Sequence, residues 1–137
     1  MESEHFKDAE LACHHCGVNL CQQELLDALE ALRVAIGKPI LVDDAYRCAV
    51  HNAEVGGAPH SEHLQGIAAD IRVEGMTAAE LEAVARQIPA FRGIGRSDQP
   101  PYLHVDTRAI AAEWCYTSTG TVIAYYAPGD QSAGVVA

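Results

Sequence analysis

No apolar run in this chain approaches the roughly 18 residues that a membrane-spanning helix needs, so no such helix is predicted. Basic residues are scarce: nine Lys and Arg face nineteen Asp and Glu, a formal net charge of -10. Phosphate backbones would be repelled, and no basic run or aromatic-basic stripe offsets this, so nucleic acid is not an expected partner. The first residues, Met1-Glu2-Ser3-Glu4-His5, lack the basic region and apolar core of a secretory signal. No internal repeat is visible. Cys13, Cys16, Cys21, Cys48 and Cys115 form an odd set, so at least one thiol is unpaired within the chain. Cys13-His14-His15-Cys16 invites a zinc-knuckle reading, but the second Cys or His pair that would close it is missing from the sequence.

The 137 residues suit one domain with a single core that needs no disulfides. At 49% hydrophobic and 20% charged, the composition is that of an ordinary soluble globular protein, expected to be monomeric.

The most informative stretch is Ser61-Glu62-His63-Leu64-Gln65-Gly66-Ile67-Ala68-Ala69-Asp70. It sets an imidazole and a carboxylate on either side of a glycine that lets the backbone reverse. Beyond it Ile67, Ala69, Ile71 and Val73 alternate with Ala68, Asp70 and Arg72, as in a half-buried strand whose opposite face carries Asp70. About thirty residues on, Tyr102-Leu103-His104-Val105-Asp106 alternates in the same way, with Tyr102, His104 and Asp106 on one face. Two neighbouring strands would aim Asp70 and His104 at one point. His, Asp and His with a vertex open to water is the donor set of a catalytic zinc, whereas structural zinc is usually closed by four ligands, mostly thiolates.

Tyr46-Arg47-Cys48, His51-Asn52, Val55-Gly56-Gly57-Ala58, Ser61-x-His63-x-x-Gly66-x-Ala68-x-Asp70, Gly93-Ile94-Gly95 and His104-Val105-Asp106 stand in the order and spacing of a known family. Over residues 6–114 the chain resembles the zinc D-Ala-D-Ala carboxypeptidase-like peptidases, the M15 group. The resemblance implies an α+β fold: a small antiparallel sheet with helices packed on one side and a zinc site in a cleft on the sheet. It implies one Zn2+ per chain on His63, Asp70 and His104, and a carboxylate- or oxyanion-holding role for Arg47, which suits its planar fork of donors. Read without it, Arg47 is a surface residue paired with Asp43 or Asp44. Many relatives place Asp or Glu three residues before the last His, where this chain has Pro101, and show Ser-Gly-Tyr-Arg where it has Asp44-Ala45-Tyr46-Arg47. The general base is therefore open. Asp106 is the first candidate, its alternative role being to orient a ligand imidazole, and Asp98 could swing in from a loop. Ser61 and Tyr102 are expected at the substrate, Ser61 alternatively as a turn cap. Serine nucleophilic chemistry has no His-Asp set left to support it. Cysteines near the N-terminus are frequent in such relatives, which implies packing or a disulfide, with Cys48 as one partner.

Along the chain, residues 1–18 read as an irregular Cys/His arm whose Phe6 and Leu11 tuck onto the core, 19–127 as the peptidase domain and 128–137 as a frayed tail. His14 and His15 belong to the arm, His51 reads as structural and His60 as peripheral. A helix opens with Asn19 and Gln22 as a capping box, carries Leu25, Leu26, Leu29, Leu32 and Ile36, and stops at Gly37. Pro39-Ile40-Leu41-Val42 starts a short buried strand, residues 48–54 a helical turn, and the glycine loop after Val55 a wall of the cleft. Thr77 with Glu80 caps a second helix that ends at Pro89. The proline-rich link from Gly95 to His104 is expected as a fixed loop beside the site, residues 108–114 as a short helix and 121–126 as a last strand.

The activity this implies is hydrolysis of peptidoglycan stem peptides, as a D,D-carboxypeptidase or as an endopeptidase at L-Ala-D-Glu or a cross-bridge. Without a leader, the bacterial wall would be reached by another route, as by a phage lysin, a delivered tail component or a chain with its leader trimmed. The rival is a non-catalytic zinc-binding or phage structural module on the same fold, motivated by Pro101. A cysteine-centred redox or knuckle protein is the third reading.

Overall fold

A computed structural model of the chain describes residues 2–116 together with the backbone of strands at 122–126 and 133–135. Among the described residues, four helices, one 3-10 turn and seven strands occur in the order α1 (Asp8–Leu11), α2 (Gln23–Ile36), β1 (Leu41–Asp44), α3 (Ala49–Glu54), η1 (Glu62–Gln65), β2 (Ala68–Arg72), α4 (Ala78–Ala85), β3 (Gly93–Asp98), β4 (Pro101–Asp106), β5 (Ala112–Tyr116), β6 (Val122–Tyr126) and β7 (Ala133–Val135). The strands form one sheet in the order β1-β2-β4-β3-β5-β6-β7. The fold is α+β, as expected. All pairings are antiparallel except β3 with β5, so the sheet is mixed.

Alternation divides the sheet into two faces. Ala69 and Ile71 of β2, Leu103 and Val105 of β4 and Ile94 of β3 are buried against Leu25, Leu29 and Leu32 of α2 and Leu81 and Ala85 of α4. Each such aliphatic side chain contributes about 1.5–3 kcal/mol by leaving water. The same strands therefore present Asp70, His104 and Asp106 on the other face. Phe6 and Leu11 are completely buried in this core, so the arm is part of it.

Several local expectations are corrected by tertiary pairing. Helix α2 starts at Gln23, and Asn19 does not cap it: its Oδ1 accepts from the Cys21 N–H at 2.9 Å and its Nδ2 donates to Asp8. Gly37 does end the helix, at φ 73°. Strand β1 lies at the sheet edge, where Leu41 is exposed and only the preceding Ile40 is buried. Thr77 and Glu80 form the expected capping box on α4. The connection from Gly95 to His104 is a tight β3–β4 hairpin with Asp98 opposite Pro101, because the alternating chain pairs up to the turn. Residues 108–114 contain no helix; Ala112–Tyr116 form β5, parallel to β3, with Glu113 buried and bonded at 2.6 Å by Arg86 beyond the end of α4. That partner lies 27 residues away, which no local pattern reveals. The segment read as a tail contributes β7, antiparallel to β6. Residue 121 of the expected last strand lies outside the described residues, and the strand there is Val122–Tyr126.

Candidate metal centre

His63 reaches the sheet through a tightly constrained turn. Ser61 caps it, its Oγ accepting the His63 N–H at 3.2 Å, the capping alternative left open for that residue. Gly66 closes it at φ 72°, and a β-carbon there would lie 2.0 Å from the carbonyl oxygen of Leu20, so only glycine fits. The His63 ring donates from Nδ1 to the carbonyl of Ala45 at 2.6 Å, which leaves Nε2 facing Asp70 Oδ1 at 3.3 Å.

Asp70 and His104 are register partners across β2 and β4. Asp70 Oδ1 is 3.1 Å from His104 Nδ1, and the two imidazoles meet edge to face with centroids 5.2 Å apart. One donor atom from each of His63, Asp70 and His104 falls within 4.8 Å of the others. The three side chains named from the sequence thus converge from a turn and two strands.

A second tier fixes His104. Its Nε2 is 2.7 Å from Asp106 Oδ2, and Asp106 is fully buried and gripped by Arg108 through Nε at 2.8 Å and NH2 at 2.7 Å. Gly93 lies opposite Asp106 and Gly95 opposite His104. A β-carbon on Gly93 would meet the Asp106 carboxylate at 2.0 Å, and one on Gly95 the Trp114 indole at 2.4 Å. The two glycines clear room for the carboxylate and for Trp114, which lies against His104 with Arg108 stacked on its ring at 4.6 Å.

Charge follows from this packing. Burial opposes a charged Asp70, but His63 and His104 outweigh it and hold its carboxyl well below the usual range. Asp106 is held down in the same way by Arg108 and His104. Burial likewise opposes a charged His104, yet bonds to Asp106 and Asp70 lift its pKa to about 9.

The centre opens into a cleft of about 570 Å³ walled by the loop from Val55 to Ala58 on one side and by Tyr102, Trp114 and Tyr116 on another. Arg47 lines it and is buried, not a surface residue. It does pair with Asp44 at 2.5 Å, and also bonds Asn52 Oδ1 at 3.0 Å and Asp70 at 3.4 Å. Three of its five N–H groups are thereby used, so its fork keeps donors for the cleft. Asn52 in turn donates to the Ala58 carbonyl at 2.9 Å and braces the glycine wall, while His60 is exposed. Burial, with the charge of Asp70 adding, pushes the Tyr102 hydroxyl up to about 12, so it stays a hydrogen-bond donor.

Asp98 does not belong to the site. It lies four residues beyond Ile94 on β3, on the same face by alternation, mostly exposed and paired with Arg96 at 3.4 Å. Asp106, with its oxygens engaged by His104 and Arg108, is away from the cleft lining. Glu62 was missed. Adjacent to His63, it lines the cleft, bonds Arg108 at 3.1 Å, and is with Asp70 one of two carboxylates there among the described residues. Its place beside the histidine was the available signal.

A family model, Peptidase M15, matches residues 4–106. The chain belongs to the peptidase M15 family. The match begins in the Cys/His arm and ends at Asp106, so it takes in the whole triad and makes the chain a peptidase. No curated protein matches it. No helix among the described residues is long and apolar enough to cross a membrane.

Proposed function

We propose that this M15 peptidase is a zinc enzyme acting on the peptide stems of the bacterial cell wall, as a D,D-carboxypeptidase or an endopeptidase at L-Ala-D-Glu or a cross-bridge. The observation that carries the reading is the convergence of His63 Nε2, Asp70 and His104 Nδ1 on one point beside an open cleft. The donor set fits the ion: two imidazole nitrogens whose opposite nitrogens are already engaged by Ala45 and Asp106, and one carboxylate held ionised. Zinc held by these three residues would supply a Lewis acid that makes a water more acidic and polarises a carbonyl.

The protein's own contributions follow from position. Arg47 holds a substrate carboxylate or steadies negative charge developing on the scissile carbonyl oxygen. Tyr102 donates a hydrogen bond along the same wall. Glu62, facing the cleft and steadied by Arg108, takes the proton from the attacking water and returns it to the leaving amine. Asp106 positions His104. The cleft, open at the surface and rich in donors, suits an extended peptide with free carboxylates.

The test is digestion of purified peptidoglycan and of a D-Ala-D-Ala peptide, with products read by mass spectrometry. Hydrolysis abolished by chelator, restored by zinc and absent in His63→Ala supports the proposal. A folded, zinc-loaded chain that cuts neither substrate favours a non-catalytic binding module.

A further inference from the structure

The arm carries a second convergence, independent of the reading above. Thiol sulfurs of Cys13, Cys16 and Cys48 lie within 4.8 Å of one another, and none is in a disulfide. Cys48, 32 residues beyond Cys16, supplies what the local Cys13-His14-His15-Cys16 motif lacked. His15 stands beside the three thiols, its Nδ1 3.7 Å from Cys48 Sγ, where its imidazole can supply a fourth donor. His14 faces elsewhere, 2.9 Å from the carbonyl of Asp43. We propose that Cys13, Cys16, Cys48 and His15 hold a second zinc ion, closed by four protein ligands and structural in role.

The spacings suit that ion. Zn–S bonds of about 2.3 Å and Zn–N bonds of about 2.0–2.1 Å at tetrahedral angles separate two sulfurs by about 3.8 Å and sulfur from nitrogen by about 3.6 Å. A disulfide would satisfy two of the three thiols and strand the third. The backbone is arranged for thiolates: the Cys48 N–H points at Cys13 Sγ and the His51 N–H at Cys48 Sγ, each at 3.4 Å. Gly17, at φ 74°, reverses the chain after Cys16, and its N–H returns to the Cys13 carbonyl at 2.9 Å, the tight turn a Cys-x-x-Cys ligand pair needs. Since Cys48 follows Arg47 directly, the ion would staple the arm to the segment that carries the cleft guanidinium.

The full chain, purified in reducing zinc-containing buffer and desalted, should hold two zinc ions by elemental analysis. His104→Ala should hold one and Cys16→Ser one. Loaded with cobalt, the wild type and His104→Ala should show thiolate-to-metal charge-transfer absorption that Cys16→Ser lacks. Cys16 is exposed, so its replacement spares the core. In the unsubstituted protein, Cys16 should resist alkylation until chelator is added. Equal zinc content in wild type and Cys16→Ser, absent cobalt–thiolate absorption, or immediate alkylation of Cys16 would each overturn the second site while leaving the first untouched.

Discussion

Asp106 Oδ2 sits 2.7 Å from Nε2 of His104, two residues earlier on the same face of β4. This bond orients the imidazole, presents Nδ1 to Asp70 and makes the ring a better donor. Replacing Asp106 with Asn weakens that polarisation and breaks the bidentate grip of Arg108. Zinc affinity should fall about 10–100-fold, the range for losing a partner of this kind. Competition with a chromophoric chelator measures it. An unchanged affinity with lost turnover would instead make Asp106 the base.

Glu62→Gln keeps the side chain's size and its reach to Arg108 but removes the proton acceptor. Turnover should drop about 10²–10⁴-fold, the usual contribution of a general base, with zinc content unchanged. A variant with near-normal kcat would return the role to another group.

Arg47→Lys retains the charge and loses the fork that spans Asp44, Asn52 and Asp70. A charged hydrogen bond is worth about 1.5–3 kcal/mol, so kcat/KM should fall by about 10–100-fold. The loss should be larger for substrates with a free terminal carboxylate than for amidated ones. Equal loss on both would confine Arg47 to shaping the cleft.

Metal-free protein should have its stability maximum on the acid side of neutrality. His104, raised to about 9 from an ordinary 6.5, contributes stability fully below pH 6.5 and loses it as pH climbs through 9. Asp70 and Asp106, both depressed, contribute above their ordinary 3.8 and lose it as pH falls below that. Melting curves in chelator should therefore peak between about pH 4 and 6.5. Zinc must displace the His104 proton, so the stabilisation it adds should grow as pH rises. A melting temperature that climbs from pH 6.5 to 9 in chelator contradicts this linkage.

Gly66→Ala forces a side chain into a left-handed backbone and onto the Leu20 carbonyl. The combined strain and overpacking should cost about 2–4 kcal/mol in urea unfolding. Loss of zinc should accompany it, because His63 hangs on that turn. Gly56→Ala shares the positive φ but meets nothing within 4 Å, so it should cost less.

What sequence alone determined about this protein is what rests on local periodicity and motif spacing. Period-two alternation placed Asp70 and His104 on the face away from Leu103 and Val105, the leucine stripe marked α2, and Thr77 with Glu80 marked α4. The convergence of the candidate metal triad was legible for that reason: once two strands are known to pair, their facing side chains follow. Long-range pairing decided the rest. β5 is a strand because β3 lies parallel to it and Arg86 neutralises Glu113, neither of which leaves a trace in residues 108–114. That Glu62 lines the cleft while Asp106, the first base candidate, lies sealed behind His104 was likewise decided by tertiary packing. The cysteines of the arm became a cluster through Cys48, a contact whose sequence separation hides it from any window. A side chain's face is set by its neighbours in the chain, but its partners are set by which elements the core brings together.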